Sequence, residues 1–312
     1  MSHAASNVAG PDRTLAGILF MAGFAATAPI MDSFAKMTPA EVPILQIVLV
    51  RFGFQVVTLL PLAWALGLAQ RPGPREAWLH LVRGALLLTG TALFFGAIRF
   101  MPIANGLAIF FVSPFILTLA GALFLNEEVG WRRLMACAAG FAGALLVIRP
   151  SFADLGAVAL MPLGTACCFA AYMVMTRSMA QRMHPIALQA WTAVAATLIV
   201  APVLMAFNGS GLPALDPVPP SGTAVWTLLG VGVMATISHL FISQALKLAP
   251  AATLAPLQYL EIVAATILGY WLFGDFPAPL TWAGIAIIVG SGLYVIARER
   301  RLSRQPHPTP PA

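Results

Sequence analysis

Charge is what this sequence has least of. Asp, Glu, Lys and Arg make up 9% of its 312 residues, where a soluble domain carries about 25%. So few charges cannot coat a water-facing surface of this size, which excludes an ordinary soluble globular protein. Low charge with 60% hydrophobic residues equally excludes a disordered chain, which needs the opposite balance. Cysteine is scarce as well. Cys137, Cys167 and Cys168 all lie inside apolar runs, which argues against a secreted disulfide scaffold. What is present is apolar sequence, with a mean hydropathy of +0.88, so the solvent of this chain is mostly lipid.

A bilayer core needs ~20 apolar residues per helix. Runs of that length number ten, at about 14–36, 41–69, 76–99, 102–125, 130–149, 155–179, 185–207, 222–248, 250–274 and 279–297. They are continuous rather than alternating with period two, which rules against a β-barrel. Backbone groups in lipid must be satisfied internally, so the runs are expected to be helices. The fold class expected is an all-α membrane protein with ten transmembrane helices. The first run, with Ala26-Thr27-Ala28 after an apolar stretch, mimics a signal peptide; Arg13 as the one preceding cation and apolar character to Phe34 favour a retained helix.

The basic residues orient this bundle. With a cytoplasmic N-terminus and ten crossings, Arg13, Arg71, Arg75, Arg83, Arg132, Arg133, Arg177, Arg182, Lys247, Arg298, Arg300, Arg301 and Arg304 fall at or near cytoplasmic ends. Only Lys36, Arg99 and Arg149 fall opposite, and Arg51 lies within a span. That bias places both termini in the cytoplasm. The pI near 9.8 is therefore a topology signal and gives no support to nucleic-acid binding.

The two halves repeat. At an offset of 148 residues, Arg99-x-x-Pro102 meets Lys247-x-x-Pro250, Ala104 meets Ala252, Thr118 meets Thr266, Gly121 meets Gly269 and Glu127 meets Asp275. Earlier parts align at offset 141, pairing Lys36 with Arg177 and Pro61 with Pro202. The change of offset falls in the Pro/Gly-rich stretch 208–222, read as a loop. Units of five spans, an odd number, enter the membrane in opposite senses, an architecture recurrent in secondary transporters. The expected division is a tail over 1–13, a first repeat over 14–149, a second over 150–297, and a basic, Pro-rich unstructured cytoplasmic tail over 298–312.

Two units, each with a cation and Pro opening its fourth helix and Gly-x5-acid closing it, resemble the EamA-type permeases of the drug/metabolite transporter superfamily. The resemblance covers roughly residues 14 to 297. It implies ten helices, cytoplasmic termini in the inner membrane, no ATPase domain, and movement of small metabolites by alternating access. Such permeases include amino-acid exporters, S-adenosylmethionine carriers and riboflavin uptake proteins. Met31-Asp32-Ser33-Phe34-Ala35-Lys36 with Gln46 and Arg51-Phe52 is similar to a subgroup of metabolite permeases.

Ionisable groups inside a membrane are costly and hence candidates for function. Asp32 and Arg51 fall at similar depths on the first two spans, so an ion pair is expected, either structural or serving a gate or substrate anion. Glu261, near the centre of the ninth span, has no basic neighbour in sequence. It suits proton coupling or recognition of a polar substrate group; the alternative is a structural hydrogen bond across helices. Gln258 and Tyr259 accompany it, and Ser113 is its counterpart in the first repeat. His239, in the eighth span, is of a type that titrates near neutral pH in water, though a packing role is open too. Metal binding is not expected, since no second His or Cys lies at ligand spacing from His239. Pro114 and Pro256 interrupt equivalent helices, while Phe94, Phe110, Tyr172 and other aromatics either stack a flat solute or pack against lipid.

No P-loop, Gly-x-Ser-x-Gly or His-Glu-x-x-His motif supports a membrane enzyme, and no sizeable soluble domain supports a sensor. The expected protein is a secondary transporter and not an enzyme, without cofactors. Its expected partners are a small-molecule metabolite, the lipid bilayer and protons as a coupling partner, with the chain acting as a monomer or homodimer. Riboflavin-like uptake is the first substrate expectation and export of amino acids or other metabolites the second.

Overall fold

The computed structural model describes residues 11–68, 71–125, 130–148, 156–274 and 279–303. Among these, every regular element is helical. The chain forms α1 (Pro11–Met37), α2 (Ile44–Ala65), α3 (Pro74–Ile98), α4 (Ile103–Phe110), α5 (Ser113–Leu125) and α6 (Trp131–Ile148). After a single 3-10 turn, Gly156–Ala159, come α7 (Leu160–Ala180), α8 (Pro185–Ala206) and α9 (Thr223–Leu248). A short α10 (Ala251–Leu254) passes through a 3-10 segment, Ala255–Leu260, into α11 (Glu261–Phe273), and α12 (Pro279–Ser303) follows.

Among the described residues, seven helical stretches are long and apolar enough to cross a bilayer: those containing α1, α2, α3, α7, α8 and α9, and the continuous stretch Ala251–Leu272. The remaining apolar helices, within α5, α6 and α12, are shorter. The outer surface confirms the solvent. Phe124, Met205, Trp226 and Trp271 are each more than 70% exposed, a face that water would not tolerate over so large an area. The widest helix contacts join α1 to α9, α3 to α7, α2 to α8 and α6 to α12. Glycine permits the last: a Cβ at Gly143 would come within 2.9 Å of the Gly284 carbonyl.

Two expectations change. The fourth apolar run is not one helix but breaks at Phe111–Val112, because Pro114 lacks the amide that would continue the ladder. The basic tail is not wholly irregular, since α12 carries Arg298, Arg300 and Arg301 to Ser303. No Pro or Gly follows Gly292 before that point, so nothing terminates the helix earlier. Arg149 and the residues from 304 onward lie outside the described residues.

The break in the fourth run has a counterpart. Residues 111–112 correspond at offset 148 to 259–260, inside the 3-10 segment, and α5 and α11 start at the equivalent residues Ser113 and Glu261. Phe111 and Tyr259, themselves equivalent, touch: the Tyr259 hydroxyl donates to the Phe111 carbonyl at 3.2 Å, and the ring centroids are 5.1 Å apart. Equivalent cations do equivalent work. The Lys36 Nζ donates to the Met101 carbonyl at 3.0 Å, and Arg177 donates to the Leu246 carbonyl at 2.7 Å. The Met101 carbonyl lies in the link after α3, and the Leu246 carbonyl in the last turn of α9, where it has no intrahelical partner.

Candidate functional site

The inner faces of α1, α2, α3, α4, α7, α9 and α11 surround a cavity of about 70 Å³, on a scale where one water takes ~10–15 Å³. Asp32, Arg51, His239 and Glu261 all line it. Four of the seven residues singled out from sequence thus converge, although they come from four helices. The wall between them is aromatic. Phe24 stacks on Phe169 at 6.1 Å, Phe169 stacks on Tyr172 at 5.6 Å, and Phe110 meets Phe169 edge-on at 5.4 Å.

Arg51 does not form the ion pair expected with Asp32. Its guanidinium donates instead to the Thr91 hydroxyl and to His239 Nε2, and it lies 4.7 Å over the Phe52 ring. Depth along two helices brought Asp32 and Arg51 to one cavity, but the azimuth of Arg51 on α2 directs it toward α3 and α9. The Asp32 side chain is 4% exposed and borders the cavity without a carboxylate–guanidinium contact.

Gln258, Tyr259 and Ser113 are buried nearby but do not line this cavity. The Tyr259 ring lies against Gly140; a Cβ there would fall 2.7 Å from its Cε2. Gly140 thus makes room for this ring. Both amide atoms of Gln258, the Ser113 hydroxyl and Glu261 Oε1 are buried without hydrogen-bond partners. Such groups are uncommon in native interiors, and each calls for an explanation.

The residue that sequence reasoning misplaced is Arg83. Counted there among the cytoplasmic flank cations, it is fully buried. Five neutral acceptors hold it: Thr176 Oγ1 at 2.9 Å, Leu188 O at 3.1 Å, Thr192 Oγ1, the Tyr172 hydroxyl at 3.0 Å and Gln189 Oε1 at 3.0 Å. The signal was available in its position. Nine residues after Pro74, Arg83 sits ~13 Å along α3, too deep to reach the head groups if its face points inward. Tyr172 links this cluster to the cavity, because its hydroxyl also lies 3.2 Å from His239 Nδ1.

The arrangement offers hydrogen-bond donors, two carboxylates and flat apolar walls, which is a binding chemistry. Among the described residues, no group of three His, Cys, Asp or Glu side chains is placed to hold a metal. Comparisons with known proteins agree with a carrier. The chain is 29% identical to a riboflavin transporter of Vibrio cholerae, over 93% of this chain and 96% of the relative. It is 30% identical to a riboflavin transporter of Rhizobium johnstonii over 82% of each. It is also 24% identical to an S-adenosylmethionine uptake transporter of Rickettsia felis, over 88% of this chain and 90% of that one. A solved crystal structure superposes with a TM-score of 0.72 at 19% identity, covering 94% of this chain and 99% of the other, which supports the fold. The EamA-like transporter family matches twice, over residues 15–149 and 156–297. With those two matches spanning nearly its whole length, the chain belongs to the EamA-like transporter family and is a multi-pass membrane transporter.

Proposed function

We propose that the protein takes up a planar, partly polar metabolite of riboflavin type across the inner membrane by alternating access. The observation that carries this reading is the cavity itself, where Asp32, Arg51, His239 and Glu261 meet under the Phe24–Phe169–Phe110 wall. Flat aromatic faces suit a heteroaromatic ring, and fixed polar groups select its edge. The relatives named as riboflavin transporters support the same substrate class. At about 70 Å³ the cavity is well below the ~300 Å³ of a ligand-sized site, so loading requires the bundle to open. The equivalent breaks at 111–112 and 255–260 are the hinges of this proposal, since irregular backbone is tolerated in membranes where it borders a cavity.

In this reading the chain crosses the membrane ten times as two inverted five-helix repeats, 14–149 and 150–297, with both termini cytoplasmic. The matching breaks, the matching roles of Lys36 and Arg177, and the Phe111–Tyr259 contact support it. Two equivalent residues that touch belong near an axis relating the halves. Asp32 and Glu261 are the proton-coupling groups. A second reading, a cationic metabolite such as S-adenosylmethionine, draws on the same two carboxylates, which face a cavity whose one arginine is already engaged. Uptake of labelled riboflavin and labelled S-adenosylmethionine into proteoliposomes, under imposed pH gradients, separates the two. Uptake of neither overturns both.

A further inference from the structure

Two arginines, Arg51 and Arg83, bracket one short chain of side chains, and that fixes the direction of every hydrogen bond between them. A guanidinium only donates. Because Arg51 donates to His239 Nε2, that nitrogen is an acceptor and bears no proton. A neutral imidazole then carries its proton on Nδ1, which faces the Tyr172 hydroxyl at 3.2 Å. The other end is consistent. Arg83 donates to the same hydroxyl at 3.0 Å, and the hydroxyl's own proton points to Gln189 Oε1 at 3.4 Å. Gln189 Oε1 is itself an acceptor there, since Arg83 donates to it at 3.0 Å and Ser243 at 3.4 Å. The Tyr172 oxygen therefore accepts from both Arg83 and His239 Nδ1–H. The reverse polarity would make His239 an acceptor at both nitrogens, which a neutral imidazole cannot be.

We infer that Arg83 is a positioning residue for substrate binding: through Tyr172 and His239 it fixes how Arg51 is presented to the cavity shared with Asp32 and Glu261. This rests on the transport reading of that cavity. Arg83 is not among the cavity's lining residues, and its guanidinium stacks 4.5 Å from the Tyr172 ring, so it reaches the cavity only by way of others. With His239 oriented at both nitrogens, Arg51 is kept on Thr91 and His239 and away from Asp32. The Asp32 carboxylate is thereby left for donors on the substrate. Loosening the relay lets Arg51 swing to Asp32 and close that acceptor.

The test has a spectroscopic and a kinetic arm on the full-length protein. Side-chain nitrogen NMR of 15N-histidine-labelled protein, with the His239 signal among the five histidines assigned through His239→Gln, is expected to show a protonated Nδ1 and a bare Nε2. A bare Nδ1 or an imidazolium overturns the relay, and this arm needs no altered protein beyond the assignment. In proteoliposomes with labelled riboflavin, Tyr172→Phe is expected to raise KM by about tenfold with maximal rate within about twofold of the unaltered protein. Combined with Arg51→Lys, it is expected to add little beyond Arg51→Lys alone, since both act through one contact. Multiplying KM effects, or an unchanged KM in Tyr172→Phe, overturn the positioning role. Absence of riboflavin uptake by the unaltered protein overturns the substrate reading and with it the role in binding, while the imidazole spectrum still decides the relay.

Discussion

Arg83 on α3 and Glu261 at the start of α11 are both buried in the bundle, yet their surroundings are of opposite kinds. Arg83 meets five neutral acceptors, drawn from α7 and α8. Around Glu261, by contrast, its own Oε1, both amide atoms of Gln258 and the hydroxyl of the equivalent Ser113 have no partner. A hydrogen bond to a charged group contributes about 1.5–3 kcal/mol, whereas each unpaired buried polar group costs about 1–3 kcal/mol. The Arg83 cluster thus holds α3, α7 and α8 in register. Under the proposed transport reading, the Glu261 cluster gives up stability where a moving part or a ligand would use free polar groups. The difference is one of degree, since Gln189 Nε2 beside Arg83 is also buried without a partner, against four such atoms around Glu261.

The contrast is most exposed at Arg83. Arg83→Leu strands the Tyr172, Gln189, Thr176 and Thr192 acceptors in a dry interior, with an expected loss of about 3–5 kcal/mol. Folded protein should then be scarce in detergent, as read by fluorescence-detected size exclusion after a temperature ramp. A profile like that of the unaltered protein would remove Arg83 from the framework. Glu261→Gln is the mirror experiment. It keeps the shape and removes a carboxylate with no hydrogen-bonded partner, so stability should stay within about 1 kcal/mol. Uptake should fall by at least about tenfold and stop responding to an imposed pH gradient. Uptake with its pH response intact would instead assign Glu261 to the framework beside Arg83. A smaller effect is expected from Gly140→Ala. The new methyl meets the Tyr259 ring, which its hydroxyl pins to the Phe111 carbonyl, at a cost of about 1–3 kcal/mol visible in the same thermal assay.

Much of the fold was legible because lipid imposes a simple code. Continuous apolar runs gave the helices, and paired landmarks such as Lys36 with Arg177 proved to have matching contacts. The convergence of Asp32, Arg51, His239 and Glu261 was legible for the same reason, since an ionisable residue in a span has few tolerable places to face. What could not be read was azimuth. Depth puts Arg51 level with Asp32, but only helix rotation decides that it turns to Thr91 and His239. The same ambiguity hid Arg83, because a cation ~13 Å into a helix reads as a flank until its face is known. Gln258 and Ser113 are likewise buried but are not among the residues lining the cavity, a distinction that also turns on azimuth.

The finest version of the comparison pairs two small hydroxyls. Ser113 Oγ is buried with no partner, while Thr176 Oγ1 accepts from Arg83 Nε at 2.9 Å and donates to the Tyr172 carbonyl at 2.6 Å. Both substitutions, Ser113→Ala and Thr176→Val, remove one hydroxyl and nothing else of consequence. Replacing Ser113 discards a group that gains nothing in the closed bundle, so stability should change by no more than about 0.5 kcal/mol, or rise slightly. Replacing Thr176 leaves one Arg83 N–H without its acceptor and should cost about 1–3 kcal/mol. Thermal midpoints measured side by side in one detergent decide the matter. Equal losses would mean that Ser113 has a partner in the folded protein, and the division into a satisfied framework and an open working surface would then fail at its smallest member.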